Sequence, residues 1–208
     1  MVLAGSDYGN MSYQLVQAKA LAEAGYQVMM VDYRGFGHSG AFTIDQSRLY
    51  YPEFATDVRT ALAAVRRRTP QQRVGILGYS MGTLLGTMVA ATTKCDFLIT
   101  DSYVANPQAI VAYFATKQKT VTLPAEAATY VLVPPKVKCP WLLITGTEDV
   151  RSPLADSLAI ARAARRRQRR EVLAVKCDHL GAMEALTSAV YTQKISRFLA
   201  GQSASTDS

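Results

Sequence analysis

RVGILGYSMGTLLG, Arg73 to Gly86, passes from a short run that is apolar on both faces, through a serine flanked by glycines, into an apolar helical pattern continuing to Thr92. A doubly buried strand, a tight turn and a helix make the repeating unit of a parallel sheet with helical crossovers. The same alternation extends in both directions. Apolar runs at Val2–Ala4, Gln27–Tyr33, Phe97–Asp101, Trp141–Thr145 and Glu171–Val175 are separated by helical patterns at Ser12–Ala24, Glu53–Arg68, Pro153–Arg166 and Ala182–Leu199. Ser12 is placed to open the first helix, Gly25 to close it and Pro52 to start the second. The expectation is an α/β fold, with a mostly parallel central sheet of about six strands and helices on both faces. Right-handed crossovers then put ligands beyond the carboxyl ends of the strands, so chemistry is sought in the loops that follow them.

The chain has 208 residues, 49% hydrophobic and 19% charged, enough apolar surface to build a core and too much for wholesale disorder. We expect one domain over residues 1–200 and a disordered tail from Gly201 to Ser208. No apolar run approaches the ~18 to 20 residues that span a bilayer. MVLAGSDYGN at the start has no signal-peptide pattern, so a cytoplasmic location is expected. Cys95, Cys139 and Cys177 are odd in number and widely spaced, which suggests buried small hydrophobes rather than a disulfide or metal framework. The net charge of +7 comes largely from two runs. Arg66–Arg68 would close a helix, where cations suit the macrodipole. Arg162, Arg165, Arg166, Arg169 and Arg170 are spaced as one solvated helical stripe; with no aromatic platform beside them, no nucleic-acid partner is expected.

Gly78, Ser80 and Gly82 fit G-x-S-x-G in the strand–turn–helix setting that such a turn requires. The flanking positions of so tight a bend have no room for side chains, which leaves Ser80 projecting at the N-terminus of a helix. A serine hydroxyl is a weak nucleophile at neutral pH and needs a base within reach. The chain has two histidines, His38 in RGFGHSG and His179 in KCDHLGAME. The chain order serine, acid, histidine selects His179. The acid that orients it should follow a strand between Ser80 and His179. Asp149 in WLLITGTEDVRSP is favoured, and Asp101 at the end of FLITD stands second.

Taken together, LAGSDYGN, DYRGFGHSG, GYSMG, GTEDVRSP and CDHLGA resemble, in order, the motifs of the α/β-hydrolases, in particular the bacterial esterase, lipase and serine-peptidase-like branch. The resemblance covers Leu3 to about Leu199. It implies a Ser80, His179, Asp149 triad and an oxyanion held by the backbone N–H groups of Met81 and Ser6, with no metal or cofactor. Relatives commonly have His-Gly where this chain has Ala4-Gly5, and further antiparallel strands where only Met1–Leu3 precede Ala4; the chain is read as lacking those strands. Ser102–Cys139 corresponds to the place of a cap and is short, so a small lid or none is expected. Two helical stretches fit there, at Gln108–Thr116 and Pro124–Leu132. Tyr103, Tyr113, Phe114 and Tyr130 are equally suited to line a pocket or to fill the core.

The implied activity is cleavage of an ester, thioester or amide of a small-molecule acyl substrate through an acyl-enzyme. Two readings compete within the fold: an acyltransferase, and a hydrolase-like binding protein that does not turn over. A third rests on Gly35-Phe36-Gly37-His38-Ser39-Gly40, which matches G-x-G-x-x-G after a strand. AFTIDQSRLYY, which follows it, lacks helical periodicity, and a dinucleotide fingerprint needs a helix to open at its glycines.

Overall fold

A computed structural model describes residues 1–204. Six strands form one sheet: β1 (Val2–Ala4), β2 (Met29–Met30), β3 (Ile76–Tyr79), β4 (Leu98–Asp101), β5 (Trp141–Gly146) and β6 (Arg170–Val175). Their order is β2-β1-β3-β4-β5-β6, and every pairing is parallel. The chain steps from β1 outward to β2, then returns to lay β3 on the other side of β1. That reversal makes the gap between the ends of β1 and β3 the switch point at which open α/β sheets bind ligands.

Both faces of the sheet are covered. Val2, Ile76, Leu98 and Leu143 turn to one core, with Phe54, Val58 and Leu62 of α2 (Pro52–Arg68) and Leu84, Leu85 and Val89 of α3 (Met81–Thr92). Leu3, Leu77, Ile99 and Leu142 alternate with them and face a second core, built from α1 (Leu15–Glu23) and the C-terminal helices. This period of two, apolar on both sides, is what the sequence pattern expressed. Trp141 is fully buried, donates from Nε1 to Thr100 Oγ1 at 2.9 Å and meets the Tyr103 ring edge-on at 5.1 Å.

Several elements differ from the sequence reading. β2 covers two residues rather than seven, because β1 offers it only three residues to pair with. The first helix opens as a 3₁₀ turn, Met11–Gln14, capped by the Asn10 side chain on Ser12 N rather than by Ser12. The C-terminal pattern is two helices, α6 (Ala182–Leu186) and α7 (Ser188–Leu199), broken at Thr187, whose φ is +67° and whose side chain caps α7. No helix opens at Gly35–Gly40; the next one begins at Pro52.

The arginine stripe is also corrected. α5 (Leu154–Arg162) ends early, so the five arginines do not share one helix. Arg169 donates to the Phe198 and Gln202 carbonyls, and Arg170 to those of Ile160 and Pro134 while lying over the Trp141 ring. Their half-buried guanidinium groups tie the C-terminal ends of α5 and α7 to the start of β6. The three cysteines are half-buried rather than buried. Of the tail, Ala204 packs into the second core and its N–H meets Glu171, so Gly201–Ala204 are placed against the fold. Residues 205–208 lie outside the described part.

Between β4 and β5 come α4 (Pro107–Thr116) and two 3₁₀ helices, Ala125–Leu132 and Pro134–Lys136. Tyr103 and Tyr130 belong to the core, their hydroxyls 3.2 Å apart, whereas Tyr113 and Phe114 face a cavity. A bridge from Arg48 to Thr122 ties this segment to the loop ahead of α2. No helix among the described residues is long and apolar enough to cross a membrane. Trp141→Ala would empty the centre of the first core and leave Thr100 without its donor. It should cost about 3–5 kcal/mol in urea denaturation followed by circular dichroism; a loss under ~1 kcal/mol would mean that the core closes without it.

Candidate active site

Ser80 follows β3 directly, with φ +49° and ψ −116°, outside the conformations that serine ordinarily adopts. Two missing side chains permit the bend. A Cβ on Gly78 would lie 2.5 Å from the Gly82 carbonyl oxygen, and one on Gly82 would lie 2.0 Å from the oxygen of Ala4. α3 therefore starts hard against the end of β1. Thr83 closes the turn, its N–H and its hydroxyl donating to the Ser80 carbonyl at 2.8 and 2.6 Å.

The same contact brings the loop after β1 up to the elbow. The Gly5 carbonyl accepts from the buried Tyr33 hydroxyl at 2.9 Å, and Gln14 packs so closely that a Cβ on Gly5 would meet its Oε1 at 2.8 Å. Tyr33 and Gln14 thus support this loop. Ser6 and Met81 are buried, and among the described residues neither backbone N–H donates to a protein acceptor. Met81 N–H is also at the positive end of α3, where negative charge is favoured.

His179 lies in the loop after β6. Its Nε2 is 2.8 Å from Ser80 Oγ and its Nδ1 is 2.9 Å from Asp149 Oδ2. The loops after β5 and β6 are laced together, Thr147 N–H to the Val175 carbonyl at 2.8 Å and Glu148 N–H to that of Cys177 at 3.0 Å. A Cβ on Gly146 would fall 2.3 Å from the Cys177 carbonyl oxygen, so only glycine lets the two loops meet. Beyond His179, Leu180 has φ +62° and donates its N–H to Ser102 Oγ at 2.8 Å.

Asp149 is fully engaged. Oδ1 accepts from the N–H groups of Arg151 and Ser152, and Oδ2 from the Ser152 hydroxyl at 2.5 Å as well as from the imidazole. Burial alone would push this carboxyl up; the bonds from His179 and Ser152 outweigh it and hold it at about 2. An ionised carboxylate only accepts, so the contact with Asp149 calls for a proton on Nδ1. Asp101 is bonded instead to the Tyr191 hydroxyl at 2.9 Å, and burial pushes it up to about 6 despite that bond. His38 is in an exposed turn held by Asp32, whose carboxylate accepts from the N–H groups of Met11 and His38. Tyr33, Gln14, Ser102 and Ser152 were not identified from sequence. Only Ser152, three residues after Asp149 in a turn-forming DVRS, carried a local signal.

The sequence model of the alpha/beta hydrolase fold matches residues 3–109. The chain belongs to that family. No curated protein matches the sequence. Among solved structures, an esterase from Pyrococcus furiosus is similar at 19% identity and a TM-score of 0.74, over 97% of this chain and 82% of its own. An enol-lactonase from Burkholderia xenovorans is 20% identical, with a TM-score of 0.63 over 96% and 90%. A monoacylglycerol lipase from Paleococcus ferrophilus is 15% identical, with a TM-score of 0.65 over 96% and 93%. At these identities the likeness is one of fold.

The two acids give this hydrolase fold opposite pH signatures. Asp149 lies below its ordinary 3.8, so its contribution to stability is complete above about pH 4 and is lost as pH falls towards 2. Asp101 lies above 3.8, so its charge opposes folding at neutral pH and the opposition is relieved as pH falls from about 6 to 4. Urea midpoints measured against pH should show Asp101→Asn flattening the change between pH 6 and 4, and Asp149→Asn flattening the loss at lower pH. The reverse assignment would contradict the environments described.

Proposed function

We propose that this protein is a serine hydrolase that transfers the acyl group of a small ester, thioester or amide to water. The observation that carries the reading is the unbroken line from Ser80 Oγ through the His179 imidazole to Asp149, at 2.8 and 2.9 Å. Nε2 takes the hydroxyl proton as Oγ attacks the carbonyl carbon, and Asp149 stabilises the imidazolium that forms. The carbonyl oxygen becomes an oxyanion, for which the N–H groups of Met81 and Ser6 are the donors. The imidazolium returns the proton to the leaving group, the carbon–leaving-group bond breaks and an acyl-Ser80 remains. Water then repeats the sequence and releases the acid, so ester and water become acid and alcohol. Each oxyanion donor is expected to contribute ~10²- to 10³-fold to turnover.

We read residues 1–200 as one catalytic domain and 102–139 as a short lid beside the cavity. An esterase, an enol-lactonase and a lipase among the similar structures support hydrolysis of a carboxylic ester as the reaction class. No cofactor is needed by this chemistry.

A fluorophosphonate probe should label native protein, but not heat-denatured protein, with the adduct mapping to Ser80. Ser80→Ala should abolish turnover with little change in thermal midpoint. Asp149→Asn should lower kcat by ~10⁴-fold, as expected for loss of a triad acid, and Asp101→Asn should lower it far less. Absent labelling of folded protein would point to a binding protein instead, and a larger loss at Asp101 would overturn the choice of acid.

A further inference from the structure

A cavity of about 790 Å³ opens in front of Ser80 and His179, and its wall is unusually positive. Lys117, Lys119 and Arg151 line it against one carboxylate, Asp7. Among the described residues none of the three cations forms an ion pair. Asp149, two residues before Arg151, is not available to it, because both carboxylate oxygens are taken by His179, Ser152 and backbone N–H groups.

Two of the cations converge on one side chain. The Arg151 guanidinium carbon lies 5.8 Å from the centroid of the Tyr113 ring, and Lys117 Nζ lies 6.0 Å from it. Each gains a cation–π contact, worth only ~0.5–1 kcal/mol at such exposure. Two like charges drawn onto one ring repel, and among the described residues no carboxylate forms an ion pair with either. The backbones that carry the two side chains are held without a ligand: Lys117 is the C-cap of α4, and the Arg151 N–H donates to Asp149 Oδ1. A guanidinium and an ammonium gathered on one aromatic ring, in the wall of the cavity that also holds Ser80, form a receptor for an anionic oxygen group.

We infer that Lys117 and Arg151, set about Tyr113, form an anion subsite, and that the preferred substrates are esters bearing a carboxylate or phosphate group. This rests on the proposed hydrolase reading for its chemistry, and on the cavity wall alone for its binding. The adjoining cavity of about 720 Å³, which shares Asp7, Met81, Phe114 and Lys119, leaves room for the remainder of a substrate.

The test pairs each anionic ester with a neutral partner. Monomethyl glutarate against methyl pentanoate places the charge on the acyl side; butyrylglycerol phosphate against monobutyrin places it on the alcohol side. In at least one pair, kcat/KM should favour the anionic ester by about tenfold at low salt, as for a charge-assisted contact at a partly exposed site. The ratio should fall towards one in about 1 M salt, where the Debye length is ~3 Å, and likewise in the double variant Lys117→Gln, Arg151→Gln. Both positions are at least partly exposed, so the variant should fold, with circular dichroism as the check. Hydrolysis of the neutral esters with no anionic preference in either pair would overturn the subsite and leave the hydrolase reading standing. If no ester is turned over, calorimetric binding of the same four esters to Ser80→Ala decides. Tighter binding of an anionic member, lost in the double variant, supports the subsite, while fluorophosphonate labelling decides the hydrolase reading separately; equal binding, or none by any of the four, overturns the subsite.

Discussion

The site depends on the absence of a side chain at position 82, where the first turn of α3 touches the carbonyl oxygens of Ala4 and Gly5. That approach lets the chain turn through Ser80 with positive φ and carry straight into a helix. It also sets the distance between the loop after β1 and the N-terminus of α3. Catalysis by oriented dipoles is sensitive to misplacement on the ångström scale, so one packing contact governs both the direction of the hydroxyl and the position of the N–H groups beside it.

A second close approach completes the arrangement at the other side. Gly146 meets the backbone at Cys177, and the strand pairing of β5 with β6 continues beyond their ends as hydrogen bonds between the two loops. Asp149 and His179 are therefore set by one rigid corner rather than by two separate loops. Ser102 holds the far side of the histidine loop through Leu180 N–H. Of the five non-glycine residues with positive φ among the described residues, Ser80, Ser102 and Leu180 belong to this region, and Gln118 and Thr187 lie elsewhere. Such strain persists only where surrounding packing over-determines it, and a buried double-faced sheet supplies that packing.

The two carboxylates near the imidazole show how environment divides similar residues. Asp149 has four donors and remains ionised; Asp101, buried with one tyrosine hydroxyl, resists ionisation. Only the first is held in its charged form by the groups around it. The cations elsewhere in the chain divide in the same way. Arg169 and Arg170 are consumed by carbonyl oxygens and aromatic faces, whereas Lys117 and Arg151 remain beside the open cavity.

The sequence by itself determined what local rules encode: the alternation of apolar strands with amphipathic helices, the bend at Gly78-Tyr79-Ser80-Met81-Gly82, and the choice of His179 from two histidines by chain order. Periodicity and glycine spacing are properties of neighbouring residues, so they survive without coordinates. It favoured Asp149 over Asp101 without deciding between them, because both follow parallel strands and differ only in which loop lies against His179. It missed Tyr33, Gln14, Ser102 and Ser152, whose partners lie across the fold or are formed by a turn of exact geometry. It read the arginines as one stripe and residues 182–199 as one helix, since spacing alone does not reveal that a helix has ended or that Thr187 adopts positive φ. Those outcomes were decided by tertiary structure, for the physical reason that hydrogen-bond reach extends about 3 Å in space and is indifferent to separation along the chain.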